Sequence, residues 1–214
     1  LSPAGPAQLA ALGRAWLAAG ERPSAVYTGD MLRQRQSEAA LREVFEAGGV
    51  SLPAARRTAA FNEYDHKPML RAHAHWLRDE RGEPVDRERL SADRRYFHHF
   101  MAGALARWVD GTLAADGLEP WADFRARCVA GIEALRAECG RGRTVAVFTS
   151  AGAIGAIVGD VLGLGDAAAI DLKLGLYNAS VSTLIYSDSR VSLSTFNCIG
   201  HLVAAGDRSL ITYR

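Results

Sequence analysis

The chain has 214 residues, 25 basic and 24 acidic side chains and a net charge of +1. With no linker-like stretch it reads as a single domain over residues 1–214 with a sizeable core. The charges are dispersed, which excludes the basic face of a nucleic-acid binder or a membrane-surface protein and leaves a small ligand as the expected partner. No segment approaches the roughly 18 apolar residues that span a bilayer. Cys128, Cys139 and Cys198 are odd in number and far apart, as structural thiols of a reducing, cytoplasmic compartment would be, and unlike a disulfide framework or a zinc knuckle.

In chain order, Ser2-Pro3 reads as a helix start. Leu9, Leu12, Trp16 and Leu17 then keep helical spacing until Gly20. Ala25 to Thr28 is a short apolar run bounded by Pro23 and Gly29-Asp30, the pattern of a buried strand and turn. Met31 to Glu46 returns to helical spacing. Residues from about 61 to 125 are rich in His, Arg and aromatics, with helical patches at Pro68–Arg81, at Tyr96–Leu113 and from Trp121 onward, and read as a helical insertion. Phe124 to Cys139 is a further helix, ended by Gly140 and Gly142. Thr144 to Phe148 is a strand that runs through Thr149-Ser150-Ala151-Gly152 into a small-residue helix ending near Leu164-Gly165. Ser180–Tyr186 and Val191–Phe196 alternate as a hairpin does. Alternating strands and helices predict an α/β fold: a three-layer α/β/α sandwich with a mostly parallel sheet and an antiparallel strand pair near the end. An exposed edge in that hairpin would make a homodimer unsurprising.

Ligands of open parallel sheets bind beyond the carboxyl ends of the strands, here after Tyr27 and after Phe148. The first end leads into a helix carrying Arg33 and Arg35, whose guanidinium forks suit a phosphate near a positive helix end. At the second, helix amides and the hydroxyls of Thr149 and Ser150 suit the same kind of anion. Two other patterns overlap this turn. Ser150 to Gly155, with Asp171 about 20 residues on, approximates a dinucleotide fingerprint without its first glycine, and keeps a dinucleotide-binding oxidoreductase open. Phe148 to Gly152, with Asp188 and His201 downstream, approximates a nucleophile elbow with Phe148 in place of the first glycine. Phe61 to His66 is dense in titratable groups, and a carboxylate there can serve as a proton donor. Tyr96 to Phe100 holds two adjacent histidines that point in different directions on a helix, so no metal site is expected.

Taken in order, Leu1 to Gln8, Ala25 to Ser37, Glu63, the Trp121-x-x-Phe124-x-x-Arg127 helix, Thr144 to Gly152, Asn178 to Val181 and Phe196-Asn197 with His201-Leu202 resemble the histidine phosphatase (phosphoglycerate mutase-like) superfamily over essentially the whole chain. The resemblance implies hydrolysis of a small phosphomonoester through a phosphohistidine. The nucleophile belongs to an arginine-histidine-glycine motif expected upstream of Leu1, since the chain opens without an initiator Met or a first strand. Arg33 is then a phosphate clamp and Glu63 the acid and base; Ser150, Thr149 and Ala151 line the phosphate site; Tyr64, His66 and His201 are candidates for substrate contact. No cofactor is implied. Where the family places a second histidine and glycine, this chain has Ser150-Ala151. The neutral hydroxyl should stabilise phosphoryl charge less, by about 3 kcal/mol. The alternative is a catalytically degenerate module that binds a phosphorylated ligand.

Overall fold

The computed structural model describes residues 1–213. Helix α1, Gly5–Ala18, starts later than Ser2-Pro3 suggested: Ser2 accepts a turn bond from the Gly5 amide, and Pro6 falls in the first helical turn. Strand β1 is Ala25–Thr28 and helix α2 is Leu32–Ala47. Strand β2, Ala55–Arg57, follows. Helices α3 (His66–Arg81), α4 (Arg87–Ala92) and α5 (Arg94–Val109) fill the expected helical insertion, which contains no strand among the described residues. Helix α6 is Trp121–Cys139, strand β3 is Val145–Phe148, and helices α7 and α8 are Ala151–Val161 and Asp166–Leu172. Strands β4 (Val181–Tyr186) and β5 (Val191–Cys198) form the expected antiparallel pair, and helix α9 spans Gly200–Ala204.

The sheet order is β2-β1-β3, all parallel, with Val26 opposite both Ala55 and Ala146. Because successive strand side chains point to opposite faces, the sheet feeds two cores. Val26, Ala146 and Phe148 meet Leu9 and Leu12 of α1 and Leu41 and Phe45 of α2. Tyr27, Val145 and Val147 meet α6, α7 and the insertion, centred on Trp108, Trp121 and Phe124. This gives the three layers. Val181 of the β4–β5 hairpin packs on the first core and Leu184 on the second. Among the described residues the hairpin makes no ladder with β3. No described helix is long and apolar enough to cross a membrane.

Candidate active site

The carboxyl ends of β1 and β3 lie side by side, joined where the Gly29 amide donates to the Phe148 carbonyl at 3.2 Å. Three segments converge there: the start of α2, the 61–64 loop and the turn into α7. Asn62 Oδ1 accepts from the Asp30 amide at 2.6 Å, binding the loop to the end of β1. Arg127, at the end of the tryptophan-phenylalanine-arginine stretch of α6, grips the same loop from behind. Its guanidinium donates to the carbonyls of Ala60 at 3.1 Å and Asn62 at 3.3 Å, while both carboxylate oxygens of Glu119 hold it at 2.8 and 2.7 Å. That bidentate pair raises the Arg127 pKa further, so the clamp stays charged.

Glu63 is thereby held over the first turn of α7. Its Oε2 accepts from the Gly152 amide at 2.9 Å, and its buried Oε1 has no partner among the described residues. Gly152 is glycine for room: a Cβ would overlap Glu63 Oε1 and lie 2.9 Å from Tyr64 Cε1. Ser150 and Ala151 sit beside this carboxylate as the N-cap and first residue of α7. The Thr149 hydroxyl donates to the Phe61 carbonyl at 2.8 Å, which commits its proton to the protein. Ser150 Oγ accepts from Gln34 Nε2 at 2.9 Å, and the same nitrogen donates to the Phe61 carbonyl at 2.8 Å.

Arg33 lies half-buried in the first turn of α2, one residue before Gln34. Arg35 is turned the other way and lines a cavity of about 480 Å³ with Thr28, Glu38, Arg42 and Arg57 at the β1–β2 edge. Tyr64 is a core side chain, 4.4 Å from the Trp108 ring and 5.5 Å from Phe124 between centroids, with the Lys173 ammonium 4.5 Å over its ring and in contact with its hydroxyl. His66 is exposed at the start of α3. His201 is buried on α9 and bonded to the Ala179 backbone; burial lowers its pKa, which that bond partly offsets.

The structure thus brings Glu63, Thr149, Ser150 and Ala151 together, with Arg33 on the adjoining helix, while His201 is bonded instead to the Ala179 backbone. The elbow reading fails because Ser150 receives a hydrogen bond from an amide where a nucleophile needs a base, and Asp188 pairs with Arg141 on the surface. The dinucleotide reading fails because its glycines serve packing. A Cβ on Gly152 would overlap Glu63 Oε1, and one on Gly155 would stand 2.8 Å from the Ala169 carbonyl of α8. Cys128 is as inert as expected, its thiol pushed up to about 12, chiefly by burial. Gln34 and Asn62 are not legible as site residues, since a polar residue in a helix or loop reads as solvated until its neighbours are known.

A three-layer α/β protein that gathers a carboxylate, a serine hydroxyl and a helix start at the carboxyl ends of its parallel strands has the layout of a ligand site at that edge. The chain belongs to the histidine phosphatase superfamily (branch 1), whose family model matches residues 1–199. Solved structures share the fold. A protein from Bacillus stearothermophilus, YhfR, is 16% identical with a TM-score of 0.65, covering 94% of this chain and 86% of its own. A mycobacterial glucosyl-3-phosphoglycerate phosphatase is 21% identical, with a TM-score of 0.59 and coverages of 92% and 87%. A phosphoglycerate mutase from Bacillus anthracis is 15% identical, with a TM-score of 0.61 and coverages of 95% and 83%. No curated protein sequence matches the chain.

Proposed function

We propose that the protein is a metal-independent phosphomonoesterase acting through a phosphohistidine, and the observation that carries this is Glu63, held at the strand ends beside Ser150 by the α7 amide and the Arg127-clamped loop. The nucleophilic histidine belongs to a strand preceding Leu1. Strand β3 pairs with β1 on one side only among the described residues, and the edge this leaves supports such a strand. Its imidazole nitrogen attacks phosphorus as the ester P–O bond breaks, and the leaving oxygen takes a proton from Glu63. Oε1, the carboxyl oxygen without a partner, is the atom suited to carry it. Glu63 then takes a proton from water as the water attacks phosphorus and the P–N bond breaks. Arg33 clamps the phosphoryl oxygens and Ser150 donates one hydrogen bond to them. Phosphate and vanadate complexes of the mycobacterial phosphatase support a phosphate-sized ligand in this fold.

The second reading, a binder of phosphorylated ligands without turnover, is favoured by two features: the Ser150 hydroxyl is neutral and one α7 amide is already taken by Glu63. Hydrolysis of an aryl phosphate by the native-length protein without metal separates the two. Turnover is expected, cut about 10²- to 10⁴-fold by Glu63→Gln and abolished with phosphate binding by Arg33→Ala. Phosphate binding that depends on Arg33 without turnover would establish the binder. Neither signal would overturn both.

A further inference from the structure

We propose that Gln34 is a positioning residue that fixes the polarity of the Ser150 hydroxyl and makes it a one-way hydrogen-bond donor to a bound phosphoryl group; the inference rests on the phosphate-site reading above. Gln34 is only 1% exposed, although it sits on the face of α2 that also buries Leu41 and Phe45. Burying an amide there costs free energy unless its polar atoms are used. All are used. The carbonyl of Phe61 can only accept, so the atom facing it at 2.8 Å is Nε2, which sets the orientation of the amide. The second Nε2 proton then points at Ser150 Oγ, 2.9 Å away, and Oε1 takes a long bond from the Met31 amide at 3.3 Å.

A hydroxyl has one proton. With a lone pair of Ser150 receiving the Gln34 N–H, that proton is turned away from Gln34, and no oxygen among the described residues accepts it. Thr149 cannot play this part because its own proton goes to Phe61. Nor is Ser150 used as a helix cap: its side chain makes no bond to an α7 amide, and the Gly152 amide is taken by Glu63. Glu63 therefore occupies the cap position, which leaves the serine hydroxyl for the ligand. Accepting a hydrogen bond also polarises a hydroxyl into a better donor. The pair Gln34–Ser150 supplies, with neutral groups, a directed donor where the resemblance leads one to expect an imidazole.

The test is a double-mutant cycle in the native-length protein with Gln34→Met, Ser150→Ala and both together, plus Gln34→Glu, read as kcat and KM for an aryl phosphate and as Kd for inorganic phosphate. Melting temperature serves as the folding control. Ser150→Ala should lower kcat about a hundredfold and Gln34→Met about tenfold, with KM little changed, as for an interaction made in the transition state. The double variant should be no worse than Ser150→Ala alone, because Gln34 acts through that hydroxyl. Gln34→Glu reverses the polarity: a carboxylate can only accept, so it captures the Ser150 proton, and the variant should fall to the level of Ser150→Ala. Additive losses in folded variants, or wild-type kcat in Gln34→Glu, would overturn the proposal while leaving the phosphatase reading standing. If the wild type binds phosphate without turnover, the same non-additivity is expected in Kd. A wild type that neither hydrolyses nor binds phosphate sinks the proposal together with the reading beneath it.

Discussion

Gly152 isolates what a single missing Cβ does for the site. It lies within a right-handed helix, where alanine is favoured over glycine by up to about 1 kcal/mol, so stability alone argues for Gly152→Ala. The space argues against it, because the added carbon would overlap Glu63 Oε1 and stand 3.0 Å from Glu63 Cδ. The carboxylate must leave the α7 amide. The same carbon would stand 2.9 Å from the buried Tyr64 ring, so Gly152→Ala should melt no higher than the wild type and lose at least about tenfold in kcat, the scale of one displaced catalytic hydrogen bond; full activity would mean that Glu63 works from another position. Glu63 was visible in the sequence as a carboxylate in a loop crowded with titratable groups, and Ser150 as a hydroxyl at a strand end. What holds them was not visible. Arg127 lies 64 positions beyond Glu63 in the chain, and nothing local says that its guanidinium closes on the carbonyls of Ala60 and Asn62.

Elements were legible where they carry their own signal and hidden where neighbours create them. Strands β1 and β3 are apolar runs of four residues bounded by turn residues, and both fell where expected. Strand β2 is Ala55-Arg56-Arg57, with no apolar run; pairing with the edge of β1 makes it a strand. Helix α4 buries no side chain, so it has no apolar stripe to announce it. Helix α8 follows Gly165 closely and, at seven residues, is too short to carry a periodic signal of its own, yet it packs on the glycines of α7. Gly159→Ala tests that contact. The helix gains up to about 1 kcal/mol from the alanine, but the new methyl overlaps the fully buried Ala169 Cβ and lies 3.0 Å from its Cα, so α8 must move. Overpacking of this kind costs about 1–3 kcal/mol, and the clash should win. The expected result is a melting temperature several degrees lower with the phosphate site unchanged in KM; a stabilised variant would show that α8 yields freely.

For the molecule as a whole, the three-layer architecture followed from strands alternating with helices, whereas the charge states of its interior depend on packing that no pattern encodes. His73 of α3 stacks at 5.8 Å on Trp76 and meets the Phe100 ring at a tilt, 5.1 Å between centroids, and its imidazole packs against Gly103. Burial first, and the Arg107 guanidinium second, lower its pKa; burial does the same for His201. In the unfolded chain both titrate near about 6.5. Below that pH the unfolded state binds protons that the folded state refuses, so stability rises with pH across this interval. The contribution is complete above about 6.5 and is lost as pH falls through the lower folded values. Exposed carboxylates do not share that window. Asp79 beside Arg78, Asp93 under the Tyr96 amide, Asp110 by the Thr112 hydroxyl and Asp207 by the Ser209 hydroxyl are all held below the ordinary carboxylate range. Their share is lost only below about pH 4. Acidification from pH 7 to 5 at constant ionic strength should therefore lower the melting temperature, and the His73→Gln, His201→Gln double variant, which has no buried imidazole to protonate at either position, should show a shallower fall. An unchanged slope in that variant would place the acid sensitivity elsewhere in the fold.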